Sequence, residues 1–150
     1  MITAAEAVTG QSSLPGLDQI LDTMIALTRL ASPQRVIVAG DDNMAFYLAL
    51  RRLGFVRATT PAICRIPKAQ HAVGLVASRM AGAETTLDQL SPFLATNAAI
   101  ALLVGARDNS CKIRTKLQHL GFRIEAGVRC PSGLVLSACR EGFGQMARAA

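Results

Sequence analysis

Histidine, aromatic side chains and long apolar runs are all scarce in this chain. Its 150 residues hold two histidines, and 4% are aromatic. None of the four cysteines (Cys64, Cys111, Cys130, Cys139) falls in a CxxC spacing. The usual zinc sites and most cysteine–histidine catalysis are thereby removed, since both need such residues clustered. Neither GxxxxGK[ST], GxSxG, HExxH nor an EF-hand loop occurs, which removes phosphate-loop, serine-hydrolase, zincin and calcium chemistry. The longest wholly apolar stretches run about nine residues, as in AAIALLVGA (Ala98 to Ala106), whereas a membrane span needs roughly twenty. A water-soluble chain with no membrane partner is expected. The opening MITAAEAVTGQSS has neither the basic start nor the apolar core of a signal peptide. Residues 1–13 therefore read as a loose leader, and the cytoplasm as the address. Reduced thiols are expected there. If CPSG turns a hairpin, Cys130 lies at its closed end and Cys139 near its open end, too far apart to bridge.

Half of the residues are hydrophobic, enough for one real core over residues 1–150 as a single domain. No repeat, low-complexity tract or linker interrupts them. Leu17, Ile20, Leu21, Met24, Leu27, Thr28 and Ala31 recur at helical spacing, and RVIVAG is a short strand apolar throughout, as in a parallel sheet covered on both faces. A helix from Asn43 to Leu53 follows, with Phe46, Ala49, Leu50 and Leu53 inward and Gly54 at its end. FVRATTPAI is a strand cut short by Pro61, CRIPKAQ a loop and AVGLVAS a third strand. GAETTLDQLSPFLA is a helix that Pro92 kinks or restarts with Ser91 as cap. AAIALLVGA is a fourth strand, and Ser110 to Leu120 a helix with Ile113, Leu117 and Leu120 inward. The end differs: FRIEAGVRC and LVLSACR are strands joined by a tight turn. In the first of them Phe122, Ile124, Ala126 and Val128 alternate with Arg123, Glu125, Gly127 and Arg129. Alternating strands and helices require right-handed crossovers and a parallel sheet with helices on both faces, and the hairpin makes the last strands antiparallel.

The net charge of +6 is uneven. Residues 1–105 carry eight basic against seven acidic side chains, and residues 106–150 carry eight against three. Lys112, Arg114 and Lys116 avoid the Ile113–Leu117–Leu120 stripe, and Arg123 and Arg129 occupy the polar positions of the next strand. Together they form a candidate RNA-phosphate surface. No aromatic side chain interleaves with them to stack bases, so a solvated face is the plainer reading. His71 and His119 read as structural or exposed, the latter near a helix C-terminus that favours it.

The stretch RVIVAGDDNM (Arg35 to Met44) has the shape of a ligand-binding strand–turn–helix with a single glycine. One glycine permits one unusual backbone angle rather than a loop wrapped around a ligand. Asp41 and Asp42 read as helix caps, or as acidic groups facing a cationic cofactor. A pyrophosphate is disfavoured beside two carboxylates.

The strand order and LGFRIEAGVRCPSGLVLSACR resemble class I S-adenosylmethionine-dependent methyltransferases, a Rossmann-like α/β fold whose parallel sheet ends in an antiparallel hairpin. RVIVAGDDNMAFYLAL, AVGLVASRMAGAETTLDQLSPFLATNAAIALLVGARDNSCKIRTKL and VRCPSGLVLS together resemble the N-terminal half of two-domain ribosomal-RNA guanine-N2 methyltransferases, over roughly residues 35–140. In that family this half is degenerate, and the cofactor and catalysis belong to the second half. The family's proline–lysine pair is absent near Ser78-Arg79-Met80, with Pro67-Lys68 out of register, and the turn after the fourth strand keeps only Gly105.

What the resemblance implies about the site follows residue by residue. Methyltransferases of this class hold the cofactor with a glycine-rich turn where Gly40, Asp41 and Asp42 stand. An acidic residue binds the ribose where Thr59 and Thr60 offer neutral hydroxyls. Base-amino methyltransferases carry an Asn/Asp-Pro-Pro-aromatic motif where Ser78, Arg79, Met80 and Ala81 stand, so exocyclic-amine methylation is not expected. The expectation is a non-catalytic module without cofactor, assisting an rRNA methyltransferase or binding RNA or a protein. The alternative is a small S-adenosylmethionine-dependent methyltransferase whose pocket is lined by Gly40, Asp41, Asp42, Thr59 and Ser78. A third reading is a homo-oligomer built through an open sheet edge beside the proline-broken second strand.

Overall fold

The computed structural model describes residues 16–64, 69–77, 82–105, 110–130 and 133–140. The expected leader, Ser78 and the residues of the CPSG turn at 131 and 132 lie outside them. Among the described residues eleven elements alternate as expected: α1 (Leu17–Thr28), β1 (Val36–Ala39), α2 (Asn43–Arg52), β2 (Ala58–Thr59), β3 (His71–Val76), α3 (Ala83–Leu90), a 3-10 turn (Ser91–Phe93), β4 (Leu94–Val104), α4 (Ser110–His119), β5 (Phe122–Cys130) and β6 (Gly133–Arg140). The strands form one sheet in the order β2-β1-β3-β4-β6-β5. The four on the β2 side run parallel, and β6 runs antiparallel to both β4 and β5.

Strand side chains alternate across the sheet and build two cores. Val36, Val38, Val73, Leu75, Ala101, Leu103 and Val135 pack with Ile20, Leu21 and Met24 of α1 and Phe46 and Leu50 of α2. On the opposite face Ile37, Val76, Ile100, Leu102, Leu136 and Ala138 pack with Leu87 and Leu90 of α3 and Ile113 and Leu117 of α4. Central strands covered on both sides must be apolar at every position, and β1 is buried along its whole length.

Several boundaries differ from the sequence expectation, each for a local reason. Helix α1 ends at Thr28 because Arg29 turns left-handed (φ 55°). The N–H groups of Arg29 and Leu30 then bond the carbonyls of Ala26 and Ile25, closing the helix with a Schellman-type cap and leaving Ala31 exposed. Leu53, expected inward, follows the end of α2 and is exposed. Strand β2 shrinks to two residues, with Pro61 just beyond it. Pro92 ends α3 in the 3-10 turn, so Leu94 and Ala95 begin β4 instead of continuing a helix. Ser91 does not cap: its hydroxyl accepts a hydrogen bond from Arg140.

A bulge at Glu125 divides β5. Ile124 lies opposite Ala138, yet Ala126 lies opposite Ser137. Phe122 and Ile124 consequently face the α3–α4 core, whereas Val128 pairs with Val135 on the α1–α2 side. The single expected alternation therefore breaks in two, because an extra residue reverses the side each later side chain takes. The hairpin itself is as expected, with Cys130 opposite Gly133 at its closed end and Cys139 opposite Arg123 toward its open end. Cys130 and Cys139 form no bridge, as expected.

His71, expected just before the third strand, is its first residue, and it is fully buried. Its Nδ1 lies 3.1 Å from the Phe93 carbonyl, its ring meets the Phe93 ring edge-on, and its Nε2 lies 3.9 Å from the Cys64 sulfur. Burial pushes the imidazole below its ordinary pKa of 6.5, opposed by the Phe93 hydrogen bond and aided by the charge of Arg35. Between that ordinary value and the lower folded one, the unfolded chain binds the extra proton and the folded chain does not. Stability is therefore expected to fall as pH drops below about 6.5. Urea midpoints between pH 7.5 and 5.5 check this: His71→Asn should be less stable at the upper end and show a flatter pH dependence.

Candidate cofactor crevice and basic surfaces

In an open parallel sheet, ligands bind outside the carboxyl ends of the strands, where the chain leaves neighbouring strands toward opposite faces. Here that place lies between β1 and β3. Helix α2 leaves β1 for one core, and α3 follows β3 on the other.

The turn after β1 brings Gly40, Asp41 and Asp42 together at this switch point. Gly40 adopts φ 113°, a conformation that glycine accepts and L side chains rarely do. A Cβ at this position would stand 2.3 Å from the Ala77 carbonyl oxygen. The same carbonyl accepts the Asp42 N–H at 3.0 Å, and the Ala77 N–H donates to the Ala39 carbonyl at 2.9 Å. The two chain segments therefore remain paired beyond the strands proper. The Asn43 N–H donates back to the Gly40 carbonyl at 3.3 Å. The close approach that glycine permits is thus made to the protein's own backbone.

Asp42 differs from the capping expectation. Asp41 is exposed. Asp42 occupies the position before α2 and is buried, yet its side chain makes no capping hydrogen bond. Its backbone (φ −101°, ψ 22°) is not the extended conformation from which a capping carboxylate reaches the first free N–H groups. The Asp42 carbonyl does accept the Phe46 N–H at 3.1 Å, starting the helix ladder.

Thr59 stands one strand away. It pairs with Ile37, whose side chain belongs to the α3–α4 core, and pairing puts the two side chains on one side of the sheet. Its hydroxyl lies 3.4 Å from the Thr60 carbonyl. Gly40, Asp41 and Asp42 are therefore brought together after β1, and Thr59 stands on the α3–α4 side of the sheet. Ala77 carries the junction, and no sequence signal marks it; the lone glycine of RVIVAGDDNM was the only hint.

The five basic residues proposed for RNA do not share one surface. Lys112 and Lys116 line a groove of about 460 Å³ between α3 and α4, together with Glu84, Cys111, Thr115 and His119. Lys116 is engaged there by both carboxylate oxygens of Asp88, at 3.0 and 3.1 Å. Arg114 is exposed on the other flank of α4. Arg123 pairs with Cys139, which shares the side of Val135, whereas Arg129 pairs with Leu134 of the opposite core. The expectation that Arg123 and Arg129 share a face is corrected by the bulge at Glu125. Arg123 lies 4.0 Å from Glu125. The Glu125 carboxylate in turn accepts a hydrogen bond from Cys139, whose thiol is pushed up to about 11, by burial first and then by that carboxylate. Among the described residues no helix is long and apolar enough to cross a membrane, and no cluster of His, Cys, Asp and Glu forms a metal-binding group.

No protein-family model matches the chain, and no curated protein matches it by sequence. Solved structures do match. Ribosomal protein L11 methylase from Lactobacillus delbrueckii subsp. bulgaricus aligns with a TM-score of 0.61 at 10% identity, over 83% of this chain and 78% of that one. Precorrin-6y C5,15-methyltransferase from Geobacter metallireducens gives 0.57 at 12% identity, over 82% and 89%. A SAM-dependent methyltransferase from Aquifex aeolicus gives 0.54 at 11% identity, over 83% and 98%. At such identities the likeness establishes the fold: the α/β Rossmann-like fold of class I methyltransferases, with a parallel core and antiparallel C-terminal strands.

Gly40→Ala tests the junction without any ligand. An added Cβ meets both the strained φ and the Ala77 carbonyl, so stability should fall by about 2 kcal/mol or more. Chemical denaturation of the two proteins measures it.

Proposed function

We propose that this chain is a non-catalytic module with a methyltransferase fold, which works by binding a macromolecular partner and holds no S-adenosylmethionine. One observation carries the reading. At the switch point the backbone of Ala77 stands where a Cβ on Gly40 would point, and the Asp42 and Asn43 N–H groups are bonded within the chain. A nucleoside cofactor in this fold relies on such N–H groups and on room above the strand ends. The described residues do not fit it. Thr59 offers a neutral hydroxyl where the enzymes this chain resembles carry a ribose-binding carboxylate. The resemblance of residues 35–140 to the auxiliary half of guanine-N2 rRNA methyltransferases favours a catalytic methyltransferase as the partner. The dispersal of Lys112, Arg114, Lys116, Arg123 and Arg129 favours a protein over an RNA.

A second reading, a small S-adenosylmethionine-dependent methyltransferase, draws support from Asp42, a carboxylate buried at the switch point that does not cap its helix. Calorimetric titration of the full chain with S-adenosylmethionine separates the two. The module reading expects no binding heat in the micromolar range, and micromolar affinity overturns it. Should binding be seen, Asp42→Ala discriminates further: a loss of affinity larger than the loss of stability supports the enzyme.

A further inference from the structure

Cys64 and His71 stand seven residues apart in no motif, and the fold brings them together beside the turn before β4. The Cys64 sulfur lies 3.9 Å from Nε2 of His71. The surroundings hold the imidazole in one orientation. His71 opens β3 and is fully buried. Its Nδ1 lies 3.1 Å from the Phe93 carbonyl, and the Phe93 ring meets it edge-on with centroids 6.4 Å apart. A carbonyl oxygen can only accept a hydrogen bond, so the ring proton belongs on Nδ1. Nε2 then presents its lone pair to the thiol. A nucleophile beside a base, with the base oriented by a third group, is the arrangement that activates a cysteine.

The other thiols stand differently. Cys139 donates to the Glu125 carboxylate, and burial first, then that carboxylate, pushes it up to about 11. Cys130 is half-buried like Cys64, but it lies opposite Gly133 at the closed end of the hairpin, across the sheet from His71. Cys111 is exposed and shares the α3–α4 groove with His119, yet the two are more than two turns apart along α4, about 12 Å at 1.5 Å per residue. We propose that Cys64 is a peroxide-reactive thiol and that His71 is its base. Nε2 takes the S–H proton as the sulfur attacks one oxygen of a hydroperoxide. The S–O bond forms, the O–O bond breaks, and the departing oxygen takes the proton from His71. With hydrogen peroxide the products are Cys64 sulfenic acid and water, the sulfur losing the two electrons that the peroxide gains. The surroundings suit such a reagent. Cys64 packs half-buried against the α3–α4 core, so a small neutral molecule reaches it more readily than a charged or macromolecular one. Burial, aided by the charge of Arg35, disfavours the imidazolium, which keeps Nε2 open to receive the proton and quick to pass it on. The thiol serves a module and an enzyme alike, so the cofactor titration and the following test fail independently.

The test exposes the full chain at pH 7.5 to limiting hydrogen peroxide with dimedone present, and follows the sulfenic-acid adduct at each cysteine by peptide mass spectrometry. Cys64 should be trapped about tenfold faster or more than Cys130 and Cys139. His71→Asn should slow trapping at Cys64 by about tenfold or more and leave Cys111 and Cys130 unchanged. Cys130 also reports the fold, since any opening caused by the substitution speeds its labelling; in that event the contrast between Cys64 and Cys130 in the unsubstituted chain decides. Trapping at Cys64 no faster than at Cys130, or an unaltered Cys64 rate in a variant whose Cys130 rate is also unaltered, overturns the proposal.

Discussion

The peptide of Ala77 is the point on which the upper edge of this molecule depends. Its N–H and carbonyl pair with Ala39 and Asp42 at once, which leaves β1 and β3 no freedom to part where they end. Only a residue without a Cβ can stand opposite, and Gly40 supplies it. Because the two strands send their helices to opposite faces, this junction sets where α2 begins, how Asp42 is buried and how wide any crevice between them can be. A fold that elsewhere offers a ligand its backbone N–H groups here spends them on itself.

The lower edge is secured by a different chemistry. His71 at the start of β3 and Arg140 at the end of β6 both reach the same short turn before β4, through the carbonyls of Phe93 and Leu94 and the hydroxyl of Ser91. Arg140 also lies 4.6 Å above the Phe122 ring, joining the open end of the hairpin to the core. A buried polar ring such as that of His71 is costly unless bonded, and here its bond ties the start of β3 to the turn before β4. Stabilising contacts thus gather at the amino ends of β3 and β4, opposite the edge where ligands are found in this architecture.

The order of strands and helices, the two covered faces and the closing hairpin were all legible from periodicity, since burial on one face or two dictates which positions are apolar. Local chemistry at Arg29, Pro92 and Glu125 was not. A left-handed arginine, a 3-10 turn and a one-residue bulge each depend on backbone geometry that many residues tolerate, so no side-chain pattern announces them. The bulge cost most, because everything after it changed sides, and with it the supposed union of Arg123 and Arg129. At the crevice, Gly40 was legible as a positive-φ residue. What it faces was not: Ala77 is distant in sequence and acts through its backbone, which every residue type carries.

Charge along the chain and charge in space diverge for the same reason. The carboxy-terminal third holds most of the net positive charge, yet its described members are set on both flanks of α4 and both faces of the sheet, and Lys116 is matched by Asp88. Fields from charges so divided are screened before they add, because the Debye length at physiological salt is about 8 Å. Residues 43–64 hold only Arg51, Arg52 and Arg57 as charged groups, and Asp18 and Asp22 of α1 line a depression together with Arg52. Net charge counted along the sequence is therefore a poor guide to the field around the molecule, because the fold decides which charges lie together and which are matched.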